Sequence, residues 1–240
     1  MFETRTYRER VRAADLVPFT VIVKETDLFI LAEKDLSSLA LEVVIKNRHQ
    51  LEHYISRNQD FLKTLRPVEV ASGAPEVAVR MAAAALKAGV GPMAAVAGTI
   101  AELVGEALMR ESAQVVVENG GDIFINTSRP RVVSIYAGDS PLSGKVGLNI
   151  NPGDTPLGVC TSSAKVGPSL SLGKAHAACV VSKSTALADA AATAVGNAVK
   201  GKGGVEGGIA VARSIEGVLG AVVIAGDKMG AWGAVELVRL

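Results

Sequence analysis

The chain is long enough for one large domain with its own core: it has 240 residues, of which 49% are hydrophobic and only 4% aromatic. Its 25 Lys and Arg balance 24 Asp and Glu, and a net charge of +1 excludes the strongly basic surface that nucleic-acid binding needs. Two cysteines are too few for a disulfide framework, and neither a secretory signal nor the ~18-residue apolar run of a membrane span is found. We therefore expect a single cytoplasmic domain over residues 1–240, with no nucleic-acid or membrane partner.

Hydrophobic periodicity and turn residues predict a chain in which strands and helices alternate. The expected strands are residues 19–24, 28–32, 115–117, 123–125, 132–136, 146–150, 157–161, 177–181, 219–225 and 232–238. The expected helices are residues 35–56, 75–88, a segment from the Gly-Pro turn at 91–92 to about 110, 186–197 and 209–214. This order indicates an α/β or α+β fold in one unit, because no linker-like segment divides the chain.

The first long helix carries His49-Gln50-Leu51-Glu52-His53, which matches the H-x-x-E-H pattern of zinc proteases. At about 100° per residue, the two histidines lie on the face opposite the apolar stripe, so we expect both to face water. A catalytic zinc site needs its ligands turned into a closed cleft. The pattern therefore favours a solvent-exposed helix face over a zinc site.

A helix start made of small residues follows the Gly-Pro turn, at residues 93–98 (Met-Ala-Ala-Val-Ala-Gly). Its unpaired N–H groups would suit an anion, since nothing bulky stands in front of them. Close packing of a helix on a sheet needs the same small residues. On these residues alone, close packing is the favoured interpretation.

The string Asn119-Gly120-Gly121-Asp122 stands between two short β-type runs, residues 115–117 and 123–125. Adjacent glycines allow positive φ and a close backbone approach, while the flanking side chains supply an amide and a carboxylate. The string is typical of a ligand-cradling turn and equally of a type I′ hairpin. The hairpin interpretation is favoured on the string alone.

The helix predicted at residues 186–197, capped by Ser184 or Thr185, is small and apolar nearly all round, which indicates burial. Asp189, Thr193 and Asn197 are the exception, since spacing at i, i+4 and i+8 puts them on one line. A buried carboxylate is costly without a partner, and a carboxylate with a hydroxyl one turn away suits Mg²⁺ or Ca²⁺. The alternative, in which Asp189 accepts backbone N–H groups of a neighbouring loop, stays open.

Three segments together resemble the ApbE superfamily, flavin transferases that use FAD and Mg²⁺ to place FMN on a protein threonine or to hydrolyse the dinucleotide. Residues 119–122 are similar to its Gly-Gly-Asp element, and residues 188–194 (Ala-Asp-Ala-Ala-Ala-Thr-Ala) resemble its Ala-Asp-Ala-Leu-Ala-Thr-Ala metal helix. Residues 96–98 stand where the family has Ile-Ala-Lys-Gly. The resemblance, to a short cytoplasmic branch, implies a T-fold-like architecture of two fused modules with helices packed on antiparallel or mixed sheets.

The same resemblance implies a site. Asp189, Thr193 and the carbonyl of Ala97 would hold the cation, Mg²⁺ or Ca²⁺. The ligand would be FAD, FMN or another anionic small molecule. The implied ligand contacts are Asn119, Gly120, Gly121, Asp122, Thr161 and Ser162.

The chain also departs from the ApbE pattern. Gly98 follows Ala97 directly, so the lysine of the Ala-Lys-Gly motif is absent. The family's His-Ile-Ile-Asp-Pro segment, with its catalytic histidine, has no counterpart between Ser163 and the metal helix. His176 lies in that interval without the Asp-Pro context, so the catalytic role is not assigned to it.

Two classes of function are consistent with these residues. One is a Mg²⁺-dependent flavin enzyme, a divergent FMN transferase or FAD pyrophosphatase. The other is a non-catalytic accessory factor that binds a flavin or similar anion, for which the resemblance offers sulfur assimilation in anaerobes as an example. The missing segment and lysine favour binding over transfer, and the Ala- and Gly-rich surfaces would permit a homodimer.

Overall fold

A computed structural model describes residues 13–163, 173–200 and 204–240. The charged N-terminal segment and the middle of the interval before His176 lie outside these ranges. The strands are β1 (Val17–Val23), β2 (Thr26–Ala32), β3 (Val115–Asn119), β4 (Asp122–Asn126), β5 (Arg131–Ser134), β6 (Val146–Ile150), β7 (Leu157–Ser162), β8 (Ala177–Ser182), β9 (Val218–Ala225), β10 (Lys228–Gly233) and β11 (Glu236–Arg239). The helices are α1 (Ser37–Arg57), α2 (Gln59–Lys63), α3 (Glu76–Ala88), α4 (Val96–Leu108), α5 (Thr185–Ala198) and α6 (Gly204–Ser214).

Eight strands form one antiparallel sheet in the order β1-β2-β3-β4-β7-β8-β9-β10. The order divides into two similar modules, each made of two strands, a helical segment and two further strands. The first module contains β1, β2, α1 to α4, β3 and β4, and the second contains β7, β8, α5, α6, β9 and β10. Pairing of β4 with β7 joins them edge to edge. The expected α/β architecture of two fused modules is confirmed.

The eight-stranded sheet is covered on both faces. The helices pack on one face over a core rich in small side chains, to which α5 alone contributes Ala186, Ala188, Ala190, Ala191 and Ala192. A three-stranded sheet in the order β11-β6-β5 covers part of the other face, over a second core that includes Leu148, Ile150 and Ile224. Small side chains let the helices approach the sheet and one another closely, which positions the site described below.

Two details differ from the sequence prediction. The single strand expected at residues 232–238 is two strands in different sheets, because Gly233 takes a φ of +82° and turns the chain from β10 into β11. The last helix begins at Gly204 and not near 209. The expectation of one domain over residues 1–240 stays a prediction.

The H-x-x-E-H string lies on α1 with His49 and His53 both exposed, as predicted. Across residues 13–163, 173–200 and 204–240, no three His, Cys, Asp or Glu side chains are grouped so that they could hold a metal ion. The same ranges contain no single helix long and apolar enough to cross a membrane. The bent pair formed by α3 and residues 92–108 meets the length and composition test only when both parts are taken together.

Candidate cation and ligand site

The string that the sequence singled out forms the β3–β4 hairpin. Asn119 pairs with Asp122 across a two-residue turn, and Gly120 and Gly121 have φ of +70° and +106°. Positive φ at both central positions defines the type I′ turn, which only glycine adopts at low cost. The carboxylate of Glu118 accepts a hydrogen bond from the Gly121 N–H at 2.9 Å. The hairpin interpretation is confirmed.

The hairpin is attached to the start of α4. The side-chain amide of Asn119 donates to the carbonyl oxygen of Ala97 at 3.1 Å. A carbonyl oxygen has two lone pairs, so that of Ala97 retains acceptor capacity. Ala97 and the hairpin thus lie together, although 22 residues separate the two bonded residues in sequence.

Asp189 on α5 reaches the same place from the second module. Its Oδ2 accepts a hydrogen bond from the Gly98 N–H at 2.8 Å. Asp189 therefore accepts a backbone N–H, as in the alternative left open above, although the donor lies in the first turn of α4 and not in a loop. The Gly98 N–H at the start of α4 thus donates to a carboxylate of the protein itself. A carboxylate has about four lone-pair sites, so this bond leaves acceptor capacity for a cation.

Gly98 makes this approach of α4 to α5 sterically possible. A Cβ at residue 98 would lie 2.5 Å from the carbonyl oxygen of Thr185 and 2.7 Å from the Cβ of Asp189. Both contacts are too short for a real side chain. The small residues of this helix start therefore serve close packing, as favoured from the sequence, but against a second helix.

Asp122 lies beside Asp189 and is buried. It pairs in register with Cys160 on β7, whose thiol is hydrogen-bonded to the carboxyl group. Burial raises the pKa of Asp122 well above its usual range, and the negative charges of Asp189 and then Glu118 raise it further. In the described parts of the chain, Asp122 has no cationic side chain as an ion-pair partner.

Asp189 is half-buried, and the pKa of its carboxyl group is shifted in the same direction. Burial raises the pKa of its carboxyl group to about 7, although the backbone N–H groups of Gly98 and Ala97 oppose the shift. Burial also raises the pKa of the Cys160 thiol, with the charges of Asp122 and Asp189 adding to the effect. This thiol is a proton donor to its neighbours and not an activated nucleophile. Two adjacent carboxyls with raised pKa values form a place where positive charge is favoured.

The other predicted residues lie on β7 and α5, the elements that also carry Cys160 and Asp189. Thr161 donates its backbone N–H to the carbonyl oxygen of Gly121 at 3.3 Å, and its side chain is hydrogen-bonded to Cys179. Ser162, the last residue of β7, lies next to α5 at Gly196. Thr193, one turn beyond Asp189, is half-buried on the same helix. Neither the cation nor the ligand contacts are tested by this geometry, so both remain predictions.

The residues present fit a hard cation. Two neighbouring carboxyls, a hydroxyl one helical turn away and a backbone carbonyl are all oxygen donors, the ligand type that Mg²⁺ and Ca²⁺ prefer. The segments that supply them come from both modules. We refer to the region where β4 pairs with β7 and α4 packs on α5 as the module joint.

Glu102 was not predicted from the sequence as part of this region. This residue of α4 is only 8% exposed, and its Oε2 accepts hydrogen bonds from the Ala186 N–H at 2.9 Å and the Ser184 hydroxyl at 3.1 Å. A glutamate within an otherwise apolar helix segment was the available signal, because a buried carboxylate needs partners. Ser184, one of the two predicted caps, is the N-cap of α5.

His176 does not belong to this group of side chains. Its Nδ1 accepts a hydrogen bond from the Gly226 N–H at 3.0 Å, and its Nε2 lies 3.2 Å from a carboxylate oxygen of Asp139. These contacts fix the loop before β6 to the β9–β10 turn. They give no reason to assign it the role of the family's catalytic histidine.

The fold and the module joint define the chain as an α/β protein of two fused four-stranded modules with two neighbouring acids, Asp122 and Asp189, where they meet. A family model described as "AbpE bacteria" matches residues 8–226. The chain belongs to this family. Among curated proteins, the UPF0280 protein of Methanocella arvoryzae is 47% identical over 212 residues, covering 88% of this chain and 86% of that protein. The UPF0280 protein of Methanocaldococcus jannaschii is 41% identical over 226 residues, covering 91% and 92%.

Solved structures support the same fold at low sequence identity. The apo form of the flavinyl transferase ApbE from Pseudomonas stutzeri matches with a TM-score of 0.57 and 14% identity, covering 91% of this chain and 94% of that one. The ApbE protein of Thermotoga maritima matches with a TM-score of 0.58 and 11% identity, covering 90% and 96%. The ApbE-like architecture expected from three short motifs is confirmed.

Proposed function

We propose that this protein binds FAD, or a closely similar anionic nucleotide, together with Mg²⁺ at the module joint. Asp189, Thr193 and the Ala97 carbonyl hold the cation in this proposal, with Ca²⁺ as an alternative ion. The ligand contacts the hairpin residues 119–122 and the end of β7 at Thr161 and Ser162. When bound, the cation would neutralise pyrophosphate charge and polarise a phosphoryl oxygen.

One observation carries this proposal. The hydrogen bond from the Gly98 N–H to Asp189 joins two segments that are 91 residues apart, and it places the carboxylate beside the carbonyl-bearing residue Ala97. Close packing alone would not require a charged residue there. A neighbouring acid, Asp122, makes the position still more unfavourable for an unpaired carboxylate. The named activity of the ApbE structures, flavin transfer, gives the ligand class.

A second candidate function is a non-catalytic flavin- or anion-binding accessory factor. It is favoured by Gly98 in the position of the family's lysine and by the contacts of His176, which go to Gly226 and Asp139. Both candidates use the same binding site. They differ in whether bound FAD is cleaved.

The test is a titration of purified protein with FAD, monitored by flavin fluorescence and carried out once with MgCl₂ and once with EDTA. Asp189→Ala is measured beside Asp60→Ala, which removes an exposed carboxylate on α2 and serves as the matched control. The mixtures are then separated by chromatography to detect FMN and AMP. We expect Mg²⁺-dependent binding that is lost in Asp189→Ala and kept in Asp60→Ala.

The products separate the two candidates. FMN and AMP formed only with Mg²⁺ would identify a flavin-processing enzyme, a transferase or a pyrophosphatase. Binding without products would identify an accessory factor. Absence of FAD binding in the presence of Mg²⁺ would contradict the proposal, and so would unchanged binding in Asp189→Ala.

A further inference from the structure

Helices α4 and α5 cap each other at the module joint. Asp189 of α5 accepts the Gly98 N–H in the first turn of α4, and Glu102 of α4 accepts the Ala186 N–H in the first turn of α5. Each carboxylate therefore satisfies a backbone donor that has no partner inside its own helix. Negative charge near a helix N-terminus is favourable in both cases.

Glu102 is bound more completely than a surface cap would be. It is 8% exposed and its Oε2 accepts both the Ala186 N–H and the Ser184 hydroxyl, while Ser184 itself accepts the Leu187 N–H. Desolvation raises the pKa of the Glu102 carboxyl group, and these hydrogen bonds oppose the shift. The nearest cationic contact, Arg80 Nη1, lies 3.9 Å away on the other oxygen. The first turn of α5 is thus fixed to α4 by a buried carboxyl group that accepts two hydrogen bonds.

The position of this contact links it to the candidate cation site. Ala186 precedes Asp189 by three residues on α5, and Glu102 follows Gly98 by four residues on α4. The first turns of α4 and α5 are therefore held together by two contacts. Asp189 binds the first turn of α4, and Glu102 binds the first turn of α5. A shift of α5 along α4 would change the separation between the Asp189 carboxylate and the Ala97 carbonyl.

We propose that Glu102 is a positioning residue for the cation site, holding α5 in the register on α4 that brings Asp189 beside Ala97. This inference rests on the proposed function, because it concerns the same cation. Glu102 does not contact the cation and acts through the backbone of α5. Partners that orient metal ligands typically contribute 10–100-fold to metal affinity.

The experiment measures binding of Mg²⁺ alone, without flavin, by isothermal titration calorimetry on the full chain well below its melting temperature. Glu102→Ala is compared with Glu102→Gln, whose amide oxygen can accept the same two hydrogen bonds. Glu106→Ala is the control, since Glu106 lies one turn further along α4 and pairs with Arg80 on the surface. We expect Glu102→Ala to weaken Mg²⁺ binding at least about tenfold, Glu102→Gln by about threefold or less, and Glu106→Ala not at all.

The outcomes separate the two proposals. Wild-type protein that binds no Mg²⁺ would overturn the proposed function and the positioning role together. Normal binding by the wild type and equal binding by Glu102→Ala would overturn only the positioning role. A merely structural role would lower the melting temperature of Glu102→Ala without changing the affinity at low temperature. If Glu102→Ala fails to fold, Glu102→Asp keeps the charge but shortens the side chain, and an affinity equal to that of the wild type would contradict the proposal.

Discussion

The two carboxylates that join the modules, Glu102 and Asp189, occupy similar places and have different neighbours. Each accepts an N–H from the first turn of the opposite helix. Each has a second donor, the Ser184 hydroxyl for Glu102 and the Ala97 N–H for Asp189, and Glu102 also has a guanidinium 3.9 Å away. Asp189 has the acid Asp122 beside it and no ion-pair partner among the described residues. Among the described residues, one carboxylate therefore has a cationic side chain nearby, while the other has an acidic neighbour.

The neighbouring charges separate a purely structural contact from a candidate site. The same capping geometry binds a helix end in both cases, so hydrogen bonding alone does not distinguish them. What distinguishes them, within residues 13–163, 173–200 and 204–240, is the sign of the neighbouring charge, which is positive at Arg80 for Glu102 and negative at Asp122 for Asp189. A cation would supply the missing compensation. Substitutions at the module joint can therefore test the comparison directly.

The largest effect on stability is expected from Gly98→Ala. A Cβ at this position would contact the Thr185 carbonyl oxygen at 2.5 Å, so α4 and α5 must separate and both caps weaken. We expect a loss of about 3 kcal/mol in the free energy of unfolding, measured by denaturant titration, together with weakened Mg²⁺ binding.

Gly207→Ala is the matched control for this substitution. Gly207 lies within α6, and a Cβ added there would lie 3.4 Å from the nearest atom, the Ala198 carbonyl oxygen, so a methyl group fits. Helix propensity then favours alanine by up to about 1 kcal/mol. A stability gain in both variants would mean that the close approach of α4 and α5 is not required.

The next largest effect is expected on metal affinity in Asp189→Asn. An amide oxygen can still accept the Gly98 N–H, so the cap of α4 is kept while the charge is removed. We expect Mg²⁺ affinity to fall about 100-fold or more, and the metal-free protein to be at least as stable as the wild type near pH 8, because repulsion with Asp122 is relieved. Calorimetric titration and thermal unfolding measure the two quantities. Loss of stability without loss of affinity would reverse the roles assigned to Asp189 and Glu102.

Local features of the module joint could be predicted from the sequence. The Asn-Gly-Gly-Asp string predicted the turn between β3 and β4, because paired glycines between apolar runs favour a type I′ hairpin. Alanine-rich composition predicted the burial of α5, and Ser184 predicted its start. These predictions succeeded because each depends on interactions within a few residues.

The contacts between the modules could not be predicted in this way. The pairing of Asp122 with Cys160 depends on the register of β4 against β7, which is set by the packing of both sheet faces. The partners of Glu102 depend on the position of α5, which lies more than 80 residues further along the chain. The resemblance to ApbE proteins identified Asp189 and Thr193, but the repulsion that distinguishes Asp189 from Glu102 required the three-dimensional arrangement.

The pH dependence of stability provides a further test of the difference between Asp189 and Glu102. The pKa of Asp189 is about 7 in the folded protein and near 3.8 when unfolded, so the folded state binds more protons between these values. The free energy of unfolding of the metal-free protein should therefore fall as pH rises from 4 to 7, by at most about 1.4 kcal/mol per pH unit for one proton. Asp122 acts in the same direction, since its pKa is also raised.

Thermal and denaturant unfolding across this range, with EDTA and with MgCl₂, provides the measurement. Carboxylates with lowered pKa, such as Asp15 at about 2 and Glu52, act in the opposite direction, and their stabilising effect falls below about pH 5, where the unfolded carboxylates begin to be protonated. Mg²⁺ should flatten the profile of the wild type because it compensates the deprotonated carboxylates. Without metal, the free energy of unfolding of Asp189→Asn should depend less on pH than that of the wild type. A profile that rises between pH 5 and 7 would contradict the assignment of uncompensated acids to the module joint.

The smallest effect is expected from Ser184→Ala, which changes the Glu102 side of the comparison. The Ser184 hydroxyl accepts the Leu187 N–H and donates to Glu102, so its loss removes the N-cap of α5 and one of two donors to the carboxylate. We expect a loss of about 1 kcal/mol in the free energy of unfolding and only a small change in Mg²⁺ affinity, because the Ala186 N–H still holds Glu102. Ser214→Ala, at the exposed end of α6, is the control. A tenfold loss of Mg²⁺ affinity in Ser184→Ala would show that the hydroxyl, and not the Ala186 N–H, fixes the register of the two helices.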